Sequence, residues 1–465
     1  SQPLTRQWHL TLDYRLIGSP GAYKNQKNSL SNFFATTNYH SKSERYHFTA
    51  GIIFNRIFQQ ENGGIKYQNE FVDTTVYDRA LTDVYLYSAQ NQMRQNDYFI
   101  TNEIRFGGKK DAKHCLYLQH TFNLRRERHM YYDSFDPDSA YYSVWNAAFS
   151  ADSTTHYAFE NSITMGNRYS KYLRWYADVF VSSDHVYNTG IDTLLSHKVL
   201  TAGVSWNFQN GFGLLIHGST DVFPLSGGDR EIHSEFISHD SLKWRPYLRF
   251  SYSMRSPRYF FFQYFGNHFS WQHDWQQSNT IMGMGGIAYK NIDLTAYFTR
   301  FSSYMYFNGS AFNQGGTGNA LGIKASADVK FGRFYFVGTA GLQDVIHANY
   351  LNLPPWFAKA ELAMRNSVFK KALTLKTGIS AWINGLYYAD AYNPALQIFY
   401  MQRQTKTGGF VYPTAFVRAQ IKRAVVFVEI INFTAGFTKV NYWQIPGYPL
   451  PDRGFRFGVT WSFLN

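Results

Sequence analysis

The stretch Leu321-Gly322-Ile323-Lys324-Ala325-Ser326-Ala327-Asp328-Val329-Lys330 sets apolar residues at every second position against Gly, Lys, Ser and Asp. A period of two is the signature of an extended strand with one apolar and one polar face. Strands of soluble sandwiches are usually five or six residues long. This run lasts about ten, the length a tilted strand needs to cross a bilayer. The same pattern opens and closes the chain. Trp8, Leu10, Leu12, Tyr14 and Leu16 alternate with polar neighbours, and so do Phe455, Phe457, Val459, Trp461 and Phe463. Further copies run through 46–54, 116–124, 173–181, 200–208 and 373–383.

The links between such runs alternate in length. Short polar links fall at 41–44, 107–113, 166–170, 209–211, 255–258, 289–291, 331–332, 366–370 and 422–423. Long links fall at 17–29, 57–96, 127–154, 183–195, 220–242, 269–278, 304–317, 343–355, 384–409 and 434–452. Nine turns and ten loops give twenty strands, or eighteen if the weakly alternating 211–219 and 257–268 segments are not strands. The expected fold is all-β: one transmembrane antiparallel β-barrel over residues 1–465, with short periplasmic turns and long extracellular loops. Pairing of 7–16 with 453–464 closes it. A β-propeller needs a repeat of roughly 40 to 50 residues, and the chain has none.

Composition points the same way. Aromatic residues reach 19% while hydrophobic residues are only 45%, and the mean hydropathy is −0.36. A helical membrane protein needs runs of about 18 apolar residues; the strongest run here, 424–431, is broken by Glu429. The aromatic load excludes disorder. The single cysteine, Cys115, excludes a disulfide framework and a multi-cysteine metal site. The formal charge is +13, but the basic residues are scattered singly. That distribution suits a polyanion such as a lipopolysaccharide headgroup, or a solvated surface, and no nucleic acid is expected. The chain opens on Ser1 rather than Met, read as a processed or trimmed start.

Stretches near both ends carry a resemblance. Ser19-Pro-Gly-Ala-Tyr-Lys-Asn-Gln26, followed by 32–39 and by Gln60-Glu-Asn-Gly-Gly-Ile65, lies near the start. Near the end come 415–424 with its Ile421-Lys-Arg-Ala424 turn, Tyr448-Pro-Leu-Pro-Asp-Arg-Gly-Phe-Arg-Phe-Gly-Val459 and Trp461-Ser-Phe463. In these the chain resembles the putative porin family of Bacteroidota outer membranes. The resemblance implies an outer-membrane barrel and says little about substrate. The terminal strand, with Phe455, Phe457, Trp461 and Phe463 on one face, has the form of an edge that the barrel assembly machinery can pair; a plain lipid-facing strand explains it as well.

Enzyme signatures are weak. The chain has no His-Glu-x-x-His pair, no Gly-x-Ser-x-Gly elbow and no phosphate-binding glycine loop. His156 near Glu160 and His217 near Ser219 are the nearest approach to a catalytic pair, and with 15 His some such proximity is expected by chance. No catalytic residue and no cofactor are expected. Asp229, Glu231, His233 and His239 carry donors suited to a divalent cation, though a solvated loop is the simpler reading. Asp133, Asp136 and Asp138 form a second acidic group near Arg125, Arg126 and Arg128, where a turn with charge pairing is simpler than a calcium site.

With the apolar register facing lipid, the pore lining receives Asp13, Arg15, Glu103, Arg105, Arg125, Arg174, Asp178, Arg249, Lys324, Asp328, Lys376, Arg418 and Arg456. Bases outnumber acids, so an open pore should show mild anion preference. Tyr117, Tyr172, Tyr176 and Tyr297 also point inward, as space fillers or as stacking surfaces for sugars. The longest loop, 57–96, is the expected constriction or cap, with helix-compatible composition over 82–96. The expected function is a porin-like channel for passive diffusion of small hydrophilic solutes in the bacterial outer membrane. The alternative is a non-conducting accessory or structural barrel in a secretion or assembly complex, with other envelope proteins as partners.

Overall fold

A computed structural model describes residues 2–73, 79–107, 115–134, 141–168, 170, 172–188, 190–222, 228–239, 241–370, 372–437 and 442–462. Among these residues, twenty long strands make one antiparallel meander, each paired with its neighbours in sequence. They are β1 (Trp8–Ser19), β2 (Asn28–His40), β3 (Tyr46–Gln60), β4 (Gln90–Phe106), β5 (Cys115–Ser134), β6 (Phe149–Arg168) and β7 (Leu173–Asn188). Then come β8 (Ile191–Asn207), β9 (Phe212–Asp221), β10 (Arg230–Ser238), β11 (Trp244–Arg255), β12 (Ser278–Tyr289), β13 (Ile292–Ser302) and β14 (Gly318–Phe331). The last six are β15 (Phe334–Ile346), β16 (Trp356–Val368), β17 (Leu373–Asn384), β18 (Val411–Ile421), β19 (Ala424–Ile431) and β20 (Gly454–Trp461). No helix among the described residues is long and apolar enough to cross a membrane.

The alternation read from sequence maps onto two faces. Leu12, Leu194, Leu248, Ile323 and Phe457 stand on an outer face, 50% exposed or more. Their neighbours point to the inner face, where aromatic rings fill slots left by glycine. Tyr117, Tyr176, Tyr247 and Tyr297 lie directly opposite Gly166, Gly203, Gly286 and Gly322 on adjacent strands. A Cβ at any of these glycines would run into the facing ring. Three of the four inward tyrosines read from sequence are therefore wall packing, and none of these three is a free stacking platform.

The strand count survives through two errors that cancel. Segment 220–242, read as one loop, holds β10, which pairs with β9 and β11 along its length. Segment 257–268, read as a strand, instead lies at the loop end, where a helical turn (Tyr259–Phe262) leads into a short hairpin of Gln263–Phe265 with Ser270–Gln272. The link 255–258 is thus no periplasmic turn. Segment 183–195 is mostly strand, since β7 and β8 pair from Asn188↔Ile191. The expected closing pair is not present among the described residues. The free edge of β1 instead pairs with Gln2–Pro3, at Leu10 and His9.

Apolar burial is concentrated at the loop end, where long links from distant hairpins share cores. One cluster joins Tyr23, Ile65, Phe71, Val84, Phe410, Ala435 and Tyr442. A second joins Tyr264, Trp271, Phe307, Phe312 and Leu396, and a third joins Leu86, Ala89, Tyr131 and Ala395. The Tyr23 hydroxyl donates to the Leu450 carbonyl at 2.8 Å, linking the first loop to the last. These loops form one cap rather than separate flaps.

Candidate functional site

The site has two parts, the cap and the inner face beneath it. Segment 385–410, between β17 and β18, crosses from its own hairpin to the opposite part of the meander. The Pro394 carbonyl accepts from Asn91 Nδ2 at 2.8 Å, and Gln397 Oε1 meets His129 Nε2 at 2.6 Å. The Tyr142 hydroxyl accepts from the Ala395 amide at 3.0 Å, while the Met401 amide donates to the Phe307 carbonyl at 2.8 Å. Loop 61–89 also belongs to the cap, through the Ile65 amide on the Gly447 carbonyl at 2.8 Å and Arg79 on Asp452 at 3.0 Å. These contacts join it to the other long loops, and the helix-compatible segment 82–96 forms no helix. β4 begins at Gln90, where its pairing with β3 starts, and runs in register with it from Gln90 to Ile104.

Under the cap lies a cavity of about 610 Å³. Asn28, Gln59 and Asn91 stand directly opposite one another on β2, β3 and β4 and present a row of carboxamides. Gln26, Gln60, Asn62 and Gln397 add more amides, and Phe399, 57% exposed, offers a ring face. Among the described residues the lining contains no Lys or Arg. Its one acid is Glu61, 2% exposed, which accepts from Asn91 Nδ2 at 2.8 Å and from the Tyr392 hydroxyl at 3.0 Å. Burial raises its pKa from 4.5 to about 7, against the opposing pull of the Asn91, Tyr392 and Gln397 hydrogen bonds. In the sequence Glu61 stood out only within the Gln60–Ile65 stretch. Asn91 on one side and Tyr392, Gln397 and Phe399 on the other carried no local signal, since about three hundred residues separate the two groups.

All thirteen residues expected to line a pore lie on the inner face, opposite the exposed apolar set. Most of the charges are paired. Arg15 meets Asp13 at 3.0 Å, Arg105 meets Glu103 at 2.5 Å, and Arg125 meets Asp97 at 3.0 Å. Arg249 pairs with Glu235, Lys376 with Glu361 at 2.6 Å, and Arg418 with Glu429 at 3.3 Å. Asp178 accepts from Thr164 Oγ1 at 2.6 Å. Lys376 stands directly between Arg365 and Arg418, which concentrates base on β16–β18. Arg174, Lys324, Asp328 and Arg456 sit on the same face.

The cation candidates do not converge. Asp229 accepts from the Ser256 amide at 2.7 Å and hydroxyl at 2.8 Å, Glu231 pairs with Arg255, and His233 packs on His217 at 5.1 Å. His239 lies beyond the far end of β10, roughly 30 Å of strand from Asp229. No group of three or more His, Cys, Asp or Glu among the described residues could hold a metal. Asp133 bonds Ser88 at 2.7 Å and Tyr131 at 3.2 Å rather than the nearby arginines; Asp136 and Asp138 lie outside the described residues. His156 meets Asp184 at 2.8 Å, not Glu160. On β20, Phe455, Phe457 and Trp461 are exposed on the outer face, and Phe463 lies outside the described residues.

A family model described as putative porin matches residues 1–465. The chain belongs to the putative porin family. A search of the curated proteins finds no match. Among solved structures, this porin-family chain is similar to the siderophore receptor PirA from Acinetobacter baumannii, at 9% identity and a TM-score of 0.66, covering 99% of this chain and 76% of that one. It is also similar to the ferric-catecholate import receptor Fiu from K12 E. coli, at 11% identity and a TM-score of 0.67, covering 98% and 78%. The receptor BauA for ferric preacinetobactin from Acinetobacter baumannii gives 11% identity and a TM-score of 0.60, covering 97% and 75%. At such identities the likeness is one of fold. Family and fold together point to a bacterial outer-membrane β-barrel.

Proposed function

We propose that this barrel is an outer-membrane channel for small hydrophilic solutes, with passage controlled by the loop cap. The observation that carries the reading is the inner face. Charges paired along and across strands, opposite an apolar outer face, belong to a wall that is wet inside, because each unpaired ion in a dry interior costs several kcal/mol. In this reading β1 and β20 complete the wall, and the Tyr23–Leu450 hydrogen bond draws their loops together. The cavity under the cap narrows the solute class. Among the described residues, a lining of amides and one exposed ring, without a cation, suits a neutral polyhydroxylated solute. Liposome swelling tests this: vesicles carrying the reconstituted protein should swell in maltotriose, and protein-free vesicles should not. Equal exclusion of every solute tested would contradict it.

A second reading has its own observation. The shared cores tie the cap across the mouth, which also suits an accessory barrel that conducts nothing. Copurification of other envelope proteins from native membranes, together with silence in swelling assays, would favour it.

A further inference from the structure

The outer face of β3–β5 carries a second feature. Arg56, Arg94 and Arg128 stand directly opposite one another across these three adjacent strands. All three share the parity of Ile52, Tyr98 and Leu124, so they point outward. Directly paired residues lie about 5 Å apart between Cα atoms, and like charges so placed destabilise a ladder. Among the described residues none of the three meets a carboxylate. Glu127, the nearest acid in sequence, pairs in register with Gln95 on the inner face.

The level of this row on the barrel wall decides what it meets. One step toward the membrane, the outer face carries Tyr14, Phe33, Phe54 and Tyr157, each in register with its neighbouring strand. Phe33 stacks on Phe54 at 6.1 Å, and Arg126 covers Tyr157 at 5.4 Å. Such an aromatic girdle marks the interface between hydrocarbon and headgroups. The arginine row sits just beyond it, on the loop side, four residues from the loop ends of β3 and β4.

We infer that Arg56, Arg94 and Arg128, with Arg126 beside them, bind the phosphate of a glycolipid in the outer leaflet of the membrane. The guanidinium fork matches phosphate oxygens two at a time, and a bound phosphate relieves the repulsion that the row otherwise carries. The acyl chains then run down the apolar face formed by Ile52, Tyr98, Leu124 and Phe159. This site is on the outside of the wall and is independent of the channel.

Native mass spectrometry of the protein in a zwitterionic detergent, with added diphosphorylated lipid A, tests the inference. Wild type should retain lipid A. Arg94→Gln should weaken retention about tenfold, and the triple change of Arg56, Arg94 and Arg128 to Gln should abolish it. Dephosphorylated lipid A and inorganic phosphate should fail to compete. Heat-modifiable migration on gels verifies that each variant is folded, and Lys324→Ala, on the inner face, should retain lipid A fully. Undiminished retention by the folded triple variant, or equal competition by inorganic phosphate or by the dephosphorylated lipid, would overturn the assignment. A barrel that is silent in swelling assays yet retains lipid A leaves the site standing and removes only the channel.

Discussion

At the residue scale Glu61 makes the sharpest claim. Its carboxyl is neutral up to about pH 7 in the folded cap and titrates near 4.5 when exposed. Between those values the folded state holds a proton that the unfolded state has lost, so stability falls as pH rises through the window and is flat above it. Over about 2.5 units at about 1.4 kcal/mol per unit the loss is roughly 3–4 kcal/mol. Limited proteolysis of the cap should accelerate from pH 4.5 to pH 7, and Glu61→Gln should remove that dependence, since an amide oxygen still accepts from Asn91 and Tyr392. The same resistance at both ends of the window in wild type would refute it. Ile323 tests the wall. It is 50% exposed on the outer face while Lys324 points inward. Ile323→Arg should cost about 2–4 kcal/mol if it lies near the bilayer midplane, and Lys324→Ala should be tolerated. Folding yields into lipid vesicles would distinguish the two.

At the element scale, the strands were legible wherever lipid enforces alternation. Residues 321–330 and 455–461 were read with the correct face because hydrocarbon tolerates only one pattern on the outside. Legibility fails where the ladder leaves the membrane. β5 runs on through Arg125-Arg126-Glu127-Arg128 to Ser134, paired throughout, although both faces are polar and the sequence looks like loop. β10, with Arg230, Glu231, His233 and Glu235, was lost for the same reason. Conversely Tyr259-Phe-Phe-Phe262 looked like membrane strand because it is a run of aromatic rings, but Phe260 and Phe261 are half-buried against a core made with other loops. The cap was not legible at all beyond loop length, because its contacts join residues such as Asn91 and Pro394. Tyr142 holds that cap at several points: it stacks on His268 at 3.9 Å and bonds Tyr131 at 3.4 Å. Tyr142→Ala should cost about 3–5 kcal/mol as a large aromatic truncation. It should expose segment 385–410 to protease without altering heat-modifiable migration of the barrel. Loss of both would show that cap and barrel fold as one.

At the scale of the whole molecule, charge on the inner wall sets the ionic behaviour. Bases exceed acids among the inward residues, and Arg365, Lys376 and Arg418 lie side by side, while Glu361 and Glu429 offset part of the field. An open pore should prefer anions mildly. At about 0.1 M salt the Debye length is near 10 Å, so the preference should fade as salt rises. Reversal potentials across a salt gradient would show it, and cation preference at low salt would contradict the assignment of the inner face. The central claim, a hydrated pore held shut or narrowed by the cap, is tested most directly by single-channel conductance before and after the cap is opened. The Tyr387 and Thr407 amides and carbonyls bond reciprocally at 3.1 and 2.9 Å, so replacing 389–405 with a short Gly-Ser link leaves the base of the β17–β18 connection intact. Planar bilayers should record small or intermittent steps for the full chain and a severalfold larger, steady conductance for the shortened one. Silence from both proteins, each shown to be folded, would contradict the channel.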